Sequence, residues 1–480
     1  MYLWRYIQQF GLFQRNARLY LISYVLSGVT TGIFLVLYNL YLISLGYRSD
    51  FIGLVLFVGT IGAGLAIFPA GLCVDRFSGK SILIWSSVLI GIAGLGQIVF
   101  RDPLSLLLTA FIAGIGAAFT LVINAPFLIR NSTPEERAHL FSMNLVLSLI
   151  TIVVGKVLGG ALPGWFRSLP WLMSSLPSWS NALLAQQPEP RSYQFALLFA
   201  GAIAGPSFIP LFLMHNDLVR RGPIDRARRP VDQTSSWFGR NTSGPYEARS
   251  FARIFTFVKS YMSFPQLISL AHSPIFLLTL VQVLIGLGAG LFIPYTNIYF
   301  VEHLKAAPWL YGLIDGSTTA ITALLTLIAP FLAIRFGKVR SVIGTEVASI
   351  PLLLLLGFIP ILPLAALFYL FRQGLMDMSN GVLQVFSMEA IAPQHRGVAN
   401  SSYQAGFQVA WAITAPIGGL LIATLGYVPV FVGAAICYTF ANVLLWARFG
   451  RGRQSYRGER GNEKEKSQSE ISALSAEISD

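Results

Sequence analysis

The chain has 480 residues, of which 54% are hydrophobic and only 11% are charged, and its formal net charge is +13. Soluble domains carry about 25% charged residues, so a chain this poor in charge predicts that most of the outer surface faces lipid. The basic excess is explained by cytoplasmic loops of a membrane protein, and we expect no nucleic-acid partner. Only two cysteines are present, which excludes a disulfide framework and a cysteine-based metal site. We expect neither a metal nor a cofactor.

Twelve mostly apolar segments are long enough to cross a bilayer, which takes about 20 residues. They predict an all-α polytopic membrane protein with helices over Leu19–Leu45, Phe51–Leu72, Ile82–Phe100, Leu104–Leu128, Leu140–Trp165, Phe195–Leu213, Pro274–Phe300, Leu310–Ile334, Val342–Phe358, Leu362–Ile391, Val398–Leu425 and Val428–Ala447.

The distribution of Lys and Arg predicts the orientation. With the N terminus inside, 27 of the 34 basic residues fall in cytoplasmic segments, five fall outside, and Lys156 and Arg372 lie within the spans. Basic residues concentrate on the cytoplasmic side of membrane proteins. We therefore expect a multi-pass protein of the cytoplasmic (inner) membrane, with both termini in the cytoplasm and an uncleaved first helix.

The spans and the polar segments between them predict five regions. These are an N-terminal arm over 1–16, a six-helix bundle over 17–213, a cytoplasmic linker over 214–272, a second six-helix bundle over 273–447 and a disordered tail over 448–480. In the linker, Phe251, Phe255 and Met262 share one helical face, which predicts an amphipathic helix at the membrane surface. On the outer side, Trp171 and Trp179 predict a segment in the headgroup layer.

The two bundles are related by an internal repeat. At a shift of 259 residues Gly53 aligns with Gly312, Arg76 with Arg335, and Gly160 with Gly419, while Gly32 aligns with Gly290 after a slip of one residue; each pair occupies the same place in the helix order. Two repeated six-helix halves predict a binding site near mid-membrane, between them.

The loop between the second and third helices, GLCVDRFSGKS, carries the most specific motif in the chain. It resembles the GxLaDRxGRK motif of the major facilitator superfamily, whose twelve-helix plan the chain matches over about residues 17–447. The residues that carry the resemblance are Gly71, Asp75, Arg76, Gly79 and Lys80. The resemblance implies a transporter fold in which this loop acts as a latch. Gly71 would allow close helix approach, Asp75 and Arg76 would pair with helix ends and charges, and Lys80 would anchor the cytoplasmic side.

Several departures from the family's motifs limit what the resemblance implies. Ser78 precedes a displaced Gly79, and the second copy of the loop, LAIRFGKVR, has Ile334 where the first has Asp75. In the fourth helix Ala110 stands at the position of a motif arginine. These differences weaken an assignment as a proton-coupled drug antiporter and leave the fold unaffected.

The tenth helix has one polar face. Arg372, Gln373, Asp377 and Asn380, with Gln384 one turn further, follow helical spacing. A buried arginine is costly in a membrane helix, so this stripe predicts a substrate cavity. The alternative is a structural Arg–Asp pair joining two helices, for example Arg372 with Asp315.

Other polar and aromatic groups inside the spans complete the predicted cavity, although amides in membrane helices equally often serve to join neighbouring helices. The set is Tyr38, Asn39, Asn124, Tyr295, Asn297, Gln404, Gln408 and Trp411. Asp377, Asp315 and Lys156 are candidates for proton coupling or gating. The alternative for Asp315 is solvation near a helix end. The alternative for Lys156 is a side chain that snorkels outward to the membrane surface. We expect Glu346, near the cytoplasmic end of the ninth helix, to brace the inner loops.

These features favour a secondary transporter that moves a small organic solute by alternating access, with proton-coupled efflux ahead of uptake of an organic anion. The chain has no ATP-binding motif, and its five histidines share no apparent site, which disfavours a membrane-embedded enzyme; a non-transporting receptor on the same fold is a further alternative. The expected partners are a small-molecule substrate, the lipid bilayer and a coupled proton or cation. We expect a monomer.

Overall fold

The computed structural model describes residues 13–133, 136–174, 177, 180, 183–216, 273–391 and 396–450. Within these ranges twelve long helices follow one another, here numbered in chain order. They are α1 (Arg15–Ser44), α2 (Ser49–Arg76), α3 (Gly79–Val99), α4 (Pro103–Arg130), α5 (Arg137–Arg167), α6 (Pro188–Leu213), α7 (Pro274–His303), α8 (Pro308–Phe336), α9 (Lys338–Phe358), α10 (Leu362–Glu389), α11 (Arg396–Leu425) and α12 (Val428–Gly450).

All twelve helices coincide with the spans predicted from the sequence, which confirms the predicted fold class. Judged by length and composition only, eleven of them are long and apolar enough to cross a membrane. The exception is α10, because the polar stripe that begins at Arg372 lowers its hydropathy. The predicted amphipathic helix that includes Phe251, the side chains of Trp171 and Trp179, and the tail after Gly450 lie outside the described residues.

Local sequence explains where several helices begin and end. Asp102 caps α4 by accepting a hydrogen bond from the Ser105 backbone N–H at 2.8 Å, and this bond lowers the pKa of the exposed Asp102 carboxyl. Ser78 caps α3 in the same way through the Ser81 N–H at 3.2 Å. Between α8 and α9 the only residue is Gly337, with φ of +90°, a conformation that side chains other than glycine rarely adopt.

Two helices change geometry inside the span. Helix α6 tightens into a 3-10 turn over Gly205–Ser207, and α7 does so over Ile293–Tyr295 before it ends in a π-helical turn over Tyr299–His303. Pro206 and Pro294 lie in the two 3-10 turns, and a proline lacks the N–H that a regular helix needs. The irregular turn in α7 directly follows Phe292, which ends the regular part of the helix.

The described residues form two compact units. Unit 1 takes its residues from 1–34, 55–155 and 166–276, and unit 2 takes its residues from 35–54, 156–165 and 277–480. Helices α1, α2, α5 and α7 therefore contribute residues to both units. The five-region division predicted from the sequence remains a prediction.

Unit 1 is held together by an apolar cluster and by direct backbone contact. The cluster includes Tyr20, Leu83, Phe127 and Leu211, all buried. Helices α2 and α4 touch through glycine, since a Cβ added at Gly114 would lie 1.9 Å from the Gly59 carbonyl oxygen.

A buried arginine fixes the polypeptide that precedes α6. Arg191 is 2% exposed, and its guanidinium donates hydrogen bonds to four backbone carbonyl oxygens, those of Leu172, Ser174, Ala185 and Gln186. These hydrogen bonds to backbone carbonyl groups account for the burial of the guanidinium without any ligand. Arg191 therefore orders this connection.

Unit 2 contains α7 from Leu277 onward, helices α8 to α12, and residues 35–54 and 156–165 of the first half. Helix α9 packs against α10 and α12, and α8 packs against α10. Two crossings in this unit are built from the repeat-related glycines: a Cβ at Gly312 of α8 would lie 2.9 Å from Gly160 Cα of α5, and a Cβ at Gly53 of α2 would lie 2.6 Å from Pro416 Cα of α11. The glycine pairs aligned in the sequence therefore serve equivalent helix crossings.

The α2–α4 crossing predicts how Gly114→Ala will affect stability. The added methyl group meets the Gly59 carbonyl, and forcing extra volume into a packed interface costs about 1–3 kcal/mol. We expect the variant to unfold several degrees below wild type when tryptophan fluorescence is followed on heating in detergent. Gly64→Ala is the control, because a Cβ at that position of α2 meets nothing within 4 Å. Equal melting temperatures for Gly114→Ala and wild type would contradict the close crossing.

Candidate substrate site

The polar stripe of α10 forms a hydrogen-bonded chain. Arg372 Nη1 donates to Gln373 Oε1 at 2.6 Å, and Gln373 Nε2 donates to Asp377 Oδ2 at 2.7 Å. The Gln373 amide thus links the cation to the carboxylate. The three residues predicted to face a cavity are therefore in contact, while Asn380 of the same stripe is exposed and is not part of the chain.

Arg372 is completely buried, with 0% of its surface exposed. Its guanidinium carbon lies 4.5 Å from the centroid of the Phe292 ring and 5.2 Å from that of Tyr438, and both rings stabilise the cation through their π-electrons. Among the described residues, however, neither Nε nor Nη2 has a hydrogen-bond acceptor. Buried charged groups are normally hydrogen-bonded because leaving them unpaired is costly, so two strong donors here lack an acceptor.

Glu346 of α9 is a buried carboxylate that the sequence interpretation placed in the wrong role. It is 1% exposed, and it accepts hydrogen bonds from Ser379 of α10 at 3.1 Å and from Asn442 of α12 at 2.9 Å. It also interacts electrostatically with Arg372. Glu346 therefore joins three helices around the arginine instead of bracing the inner loops. The sequence feature that could have indicated this role is that Glu346 is the one acidic residue in the mostly apolar helix α9.

Lys156 and Asp315 form a buried ion pair. The Lys156 Nζ atom lies 2.9 Å from Asp315 Oδ2 and donates to Thr319 Oγ1, also at 2.9 Å. The Tyr369 hydroxyl donates to the other oxygen, Asp315 Oδ1, at 2.9 Å. The Lys156 side chain thus pairs inside the protein and does not snorkel outward, because a carboxylate lies within its reach. The alternative pairing of Arg372 with Asp315 is likewise wrong, since Asp315 is occupied by Lys156.

Three of the predicted cavity residues act in helix packing in unit 2. Tyr295 donates to the Ala415 carbonyl at 2.5 Å, Asn297 donates to the Val36 carbonyl at 3.0 Å, and Asn39 donates to the Pro294 carbonyl at 2.7 Å. The last bond satisfies a carbonyl in the irregular turn of α7, where the regular helix pattern is interrupted. These groups have their polar atoms satisfied by backbone, which is the helix-joining role of buried amides.

The remaining predicted cavity residues are not gathered around Arg372 by any described contact. In unit 1 Asn124 accepts a hydrogen bond from Tyr20 at 2.9 Å. In unit 2 Tyr38 is buried, Trp411 is half-buried, and Gln404 and Gln408 on α11 are exposed. Their assignment to a cavity remains a prediction.

The loop that carries the family motif is tied to α6. Lys80 Nζ donates to the carbonyl oxygens of Phe212 and Met214 at 2.8 and 2.7 Å, which are at the C-terminal end of that helix, where a cation is favourable. Gly79 begins α3 and Arg76 is exposed. Gly71 does not allow a close helix approach, since a Cβ there would meet nothing within 4 Å. The side chain of Asp75 lies outside the described part of the chain.

Comparison with known proteins identifies a family and a fold. Residues 20–279 and 278–477 match the model of the Major Facilitator Superfamily. No curated protein sequence matches the chain significantly.

Three solved structures illustrate the likeness in fold. A bacterial homologue of the human lysosomal transporter Spinster aligns with a TM-score of 0.64 at 13% identity, covering 90% of this chain and 96% of that one. A bacterial homologue of the iron transporter ferroportin gives 0.64 at 17% identity, with 90% and 98% covered. The nucleoside transporter NupG gives 0.64 at 14% identity, with 92% and 100% covered. At these identities the likeness shows the fold alone.

The Lys156–Asp315 pair predicts a stability difference between a single and a double variant. Lys156→Met leaves the Asp315 carboxylate buried without its counter-charge, which costs about 3–5 kcal/mol when a buried pair is broken. We expect a clear fall in melting temperature in detergent, and recovery of most of it when Asp315→Asn is added, because the uncompensated charge is then removed. A single variant as stable as wild type would show that the pair contributes nothing.

Proposed function

Because the chain belongs to the major facilitator superfamily, we propose that it is a secondary transporter that carries a small organic anion across the membrane by alternating access. Membership of this family makes it a multi-pass membrane transporter rather than an enzyme. The observation that supports the choice of an anion is the buried Arg372 guanidinium, two of whose donors find no acceptor in the part of the chain that the structure describes.

A carboxylate or phosphate group on the solute supplies the acceptor that Arg372 lacks. The planar guanidinium can donate two parallel hydrogen bonds to such a group. Gln373 and Asp377 extend the polar surface along α10, and the rings of Phe292 and Tyr438 beside the guanidinium suit an apolar or aromatic body. This combination favours an organic anion over a sugar or an inorganic ion.

Arg372 is closed off in the described conformation, so binding requires one of its neighbours to move. Phe292 is the last residue of the regular part of α7, immediately before the 3-10 turn over Ile293–Tyr295. Tyr438 rests on the same helix, because a Cβ at Gly288 would lie 2.9 Å from the Tyr438 ring. Local helix irregularities of this kind often mark functional hinges. We infer that movement of α7 at this turn uncovers Arg372.

Proton coupling is the proposed source of energy, and Asp377 is the proposed carrier. Asp315 is held directly by Lys156 and Tyr369. Asp377 is hydrogen-bonded to the uncharged Gln373 amide, and it interacts with Arg372 and Lys156 electrostatically without a direct ion pair among the described residues. A carboxylate that exchanges a proton must be able to exist without a fixed cation beside it. Asp377 meets this condition better than Asp315 does, which leaves Asp315 and Lys156 as a gating or packing pair.

The positive-inside distribution supports a cytoplasmic location for both termini in the inner membrane, and a reporter protein active only in the cytoplasm, fused to the C terminus, checks this. We propose a monomer.

The direction of transport is either efflux, which the aromatic-rich spans favour, or uptake of an anion. Solute flux measured in proteoliposomes under opposed pH gradients decides between them.

Replacing the arginine tests the proposal. Arg372→Ala removes both donors, so we expect loss of solute flux in proteoliposomes, while the amount of inserted, monodisperse protein stays close to wild type. The control is Arg448→Ala, which removes an exposed cation at the end of α12 and is expected to leave flux unchanged. Normal flux in Arg372→Ala would remove α10 from the substrate site, even with the family assignment intact.

The second test concerns the proton. Asp377→Asn keeps the size of the side chain but cannot exchange a proton at neutral pH. We expect the variant to lose transport driven by a pH gradient and to retain exchange of labelled solute for unlabelled solute across the membrane. Gradient-driven transport that survives unchanged would rule out Asp377 as the proton carrier, and loss of exchange as well would assign Asp377 to solute binding.

A further inference from the structure

A cavity of about 470 Å³ lies where α8 ends and α9 begins. Its wall is formed by Leu332, Arg335 and Phe336 of α8 and by Arg340, Ser341, Gly344 and Thr345 of α9. The volume falls within the range of about 300–1,000 Å³ that small-molecule sites have. Every residue of this wall belongs to unit 2, and none belongs to the Arg372 site.

The cavity carries positive charge that no described carboxylate neutralises. Lys338, the nearby lysine at the start of α9, is paired with Glu389, whereas Arg335 and Arg340 have no acidic partner among the described residues. The Arg335 guanidinium lies 5.5 Å from the Phe336 ring centroid, which keeps it near the cavity wall. Two such cations beside one cavity attract an anion.

The sequence repeat explains why the positive charge of Arg335 has no acidic residue beside it. In the first copy of the loop motif Asp75 precedes Arg76, but in the second copy Ile334 precedes Arg335. The acid that adjoins the arginine in the first copy is therefore absent from the second. Ile334 is also 86% exposed. The second copy therefore has an exposed apolar side chain where the first copy has an acidic residue.

An apolar strip continues from the cavity along α8. Leu327, Phe331 and Ile334 are spaced by four and three residues, so they share a helix face, and they are 76%, 61% and 86% exposed. On a helix that spans a membrane, such a face contacts hydrocarbon. Arg335 follows one turn after Phe331, and it therefore lies where this hydrocarbon-facing strip reaches the end of the helix.

From this arrangement we propose that the cavity binds the phosphodiester headgroup of an anionic phospholipid, with Arg335 and Arg340 contacting the phosphate and the acyl chains lying along Leu327 and Phe331. Basic pockets between membrane helices are suited to such headgroups. A free phosphate ester shares the charge but has no acyl chain to use the apolar strip. This binding does not depend on the transport proposed above.

The experiment measures phosphatidylglycerol binding to the purified full-length protein by native mass spectrometry, with phosphatidylcholine as the neutral reference. We expect preferential binding of phosphatidylglycerol to wild type, and binding about thirtyfold weaker in the double variant Arg335→Gln and Arg340→Gln, since each basic residue near an anionic lipid contributes to the attraction. Arg448→Gln is the matched control, because it removes an exposed cation that does not line the cavity. Equal binding by the double variant and wild type would overturn the proposal.

A second variant tests the cavity itself without removing charge. A Cβ at Gly344 would meet nothing within 4 Å, so Gly344→Leu can fold while its side chain fills the space. We expect it to weaken phosphatidylglycerol binding, whereas Gly94→Leu, at an equally open position of α3, leaves binding unchanged. Unaffected binding in Gly344→Leu would reject the cavity as the site. If soluble glycerol phosphate displaced the lipid at equal concentration, the ligand would be a free phosphate ester, and the lipid proposal would be wrong.

Discussion

A fully buried guanidinium inside a membrane helix is the constraint around which the described part of unit 2 is organised. A charged side chain at the centre of a bilayer is unfavourable by about 2.5–3.5 kcal/mol on insertion scales, so the surroundings of Arg372 have to compensate it. Gln373 accepts one hydrogen bond, two aromatic rings flank the cation, and the Glu346 carboxyl group interacts with it electrostatically. These contacts involve residues of α7, α9, α10 and α12. The one arginine thereby links the packing of four helices.

The state of each polar group's hydrogen bonds separates structural roles from a binding role. Arg191 donates to four backbone carbonyls, and Lys156 has both a carboxylate and a hydroxyl as partners. Arg372 has one hydrogen-bond acceptor among the described residues, at Nη1, whereas its Nε and Nη2 atoms have none there. Since an unpaired buried donor costs free energy, the two Arg372 donors support our proposal that a ligand supplies their acceptor.

Small residues determine how closely the helices of the duplicated halves approach. Gly32 of α1 meets α5 at Gly155, and its repeat partner Gly290 of α7 meets α11 at Trp411. Because a glycine has no Cβ, two backbones can approach until main-chain atoms touch, and such small-residue contacts replace the hydrophobic driving force that lipid does not provide between helices. The aligned glycines are therefore explained by geometry that both halves share. Within the same duplication, Ile334 stands where the first copy has Asp75, which leaves Arg335 without an adjoining acid at the basic cavity.

The sequence by itself determined the twelve helices, the internal repeat, the family resemblance and the polar face of α10, because hydropathy, glycine spacing and helical periodicity are local properties that a linear pattern records. Only the tertiary structure decided which polar groups meet. Lys156 pairs with Asp315 and does not reach outward. Glu346 accepts hydrogen bonds from Ser379 and Asn442, and the side chains of Tyr295 and Asn297 join helices. Periodicity shows which face of a helix is polar, but the partner depends on how that face is rotated and packed against another helix. That rotation is set by contacts between residues far apart in the chain, which no local pattern contains.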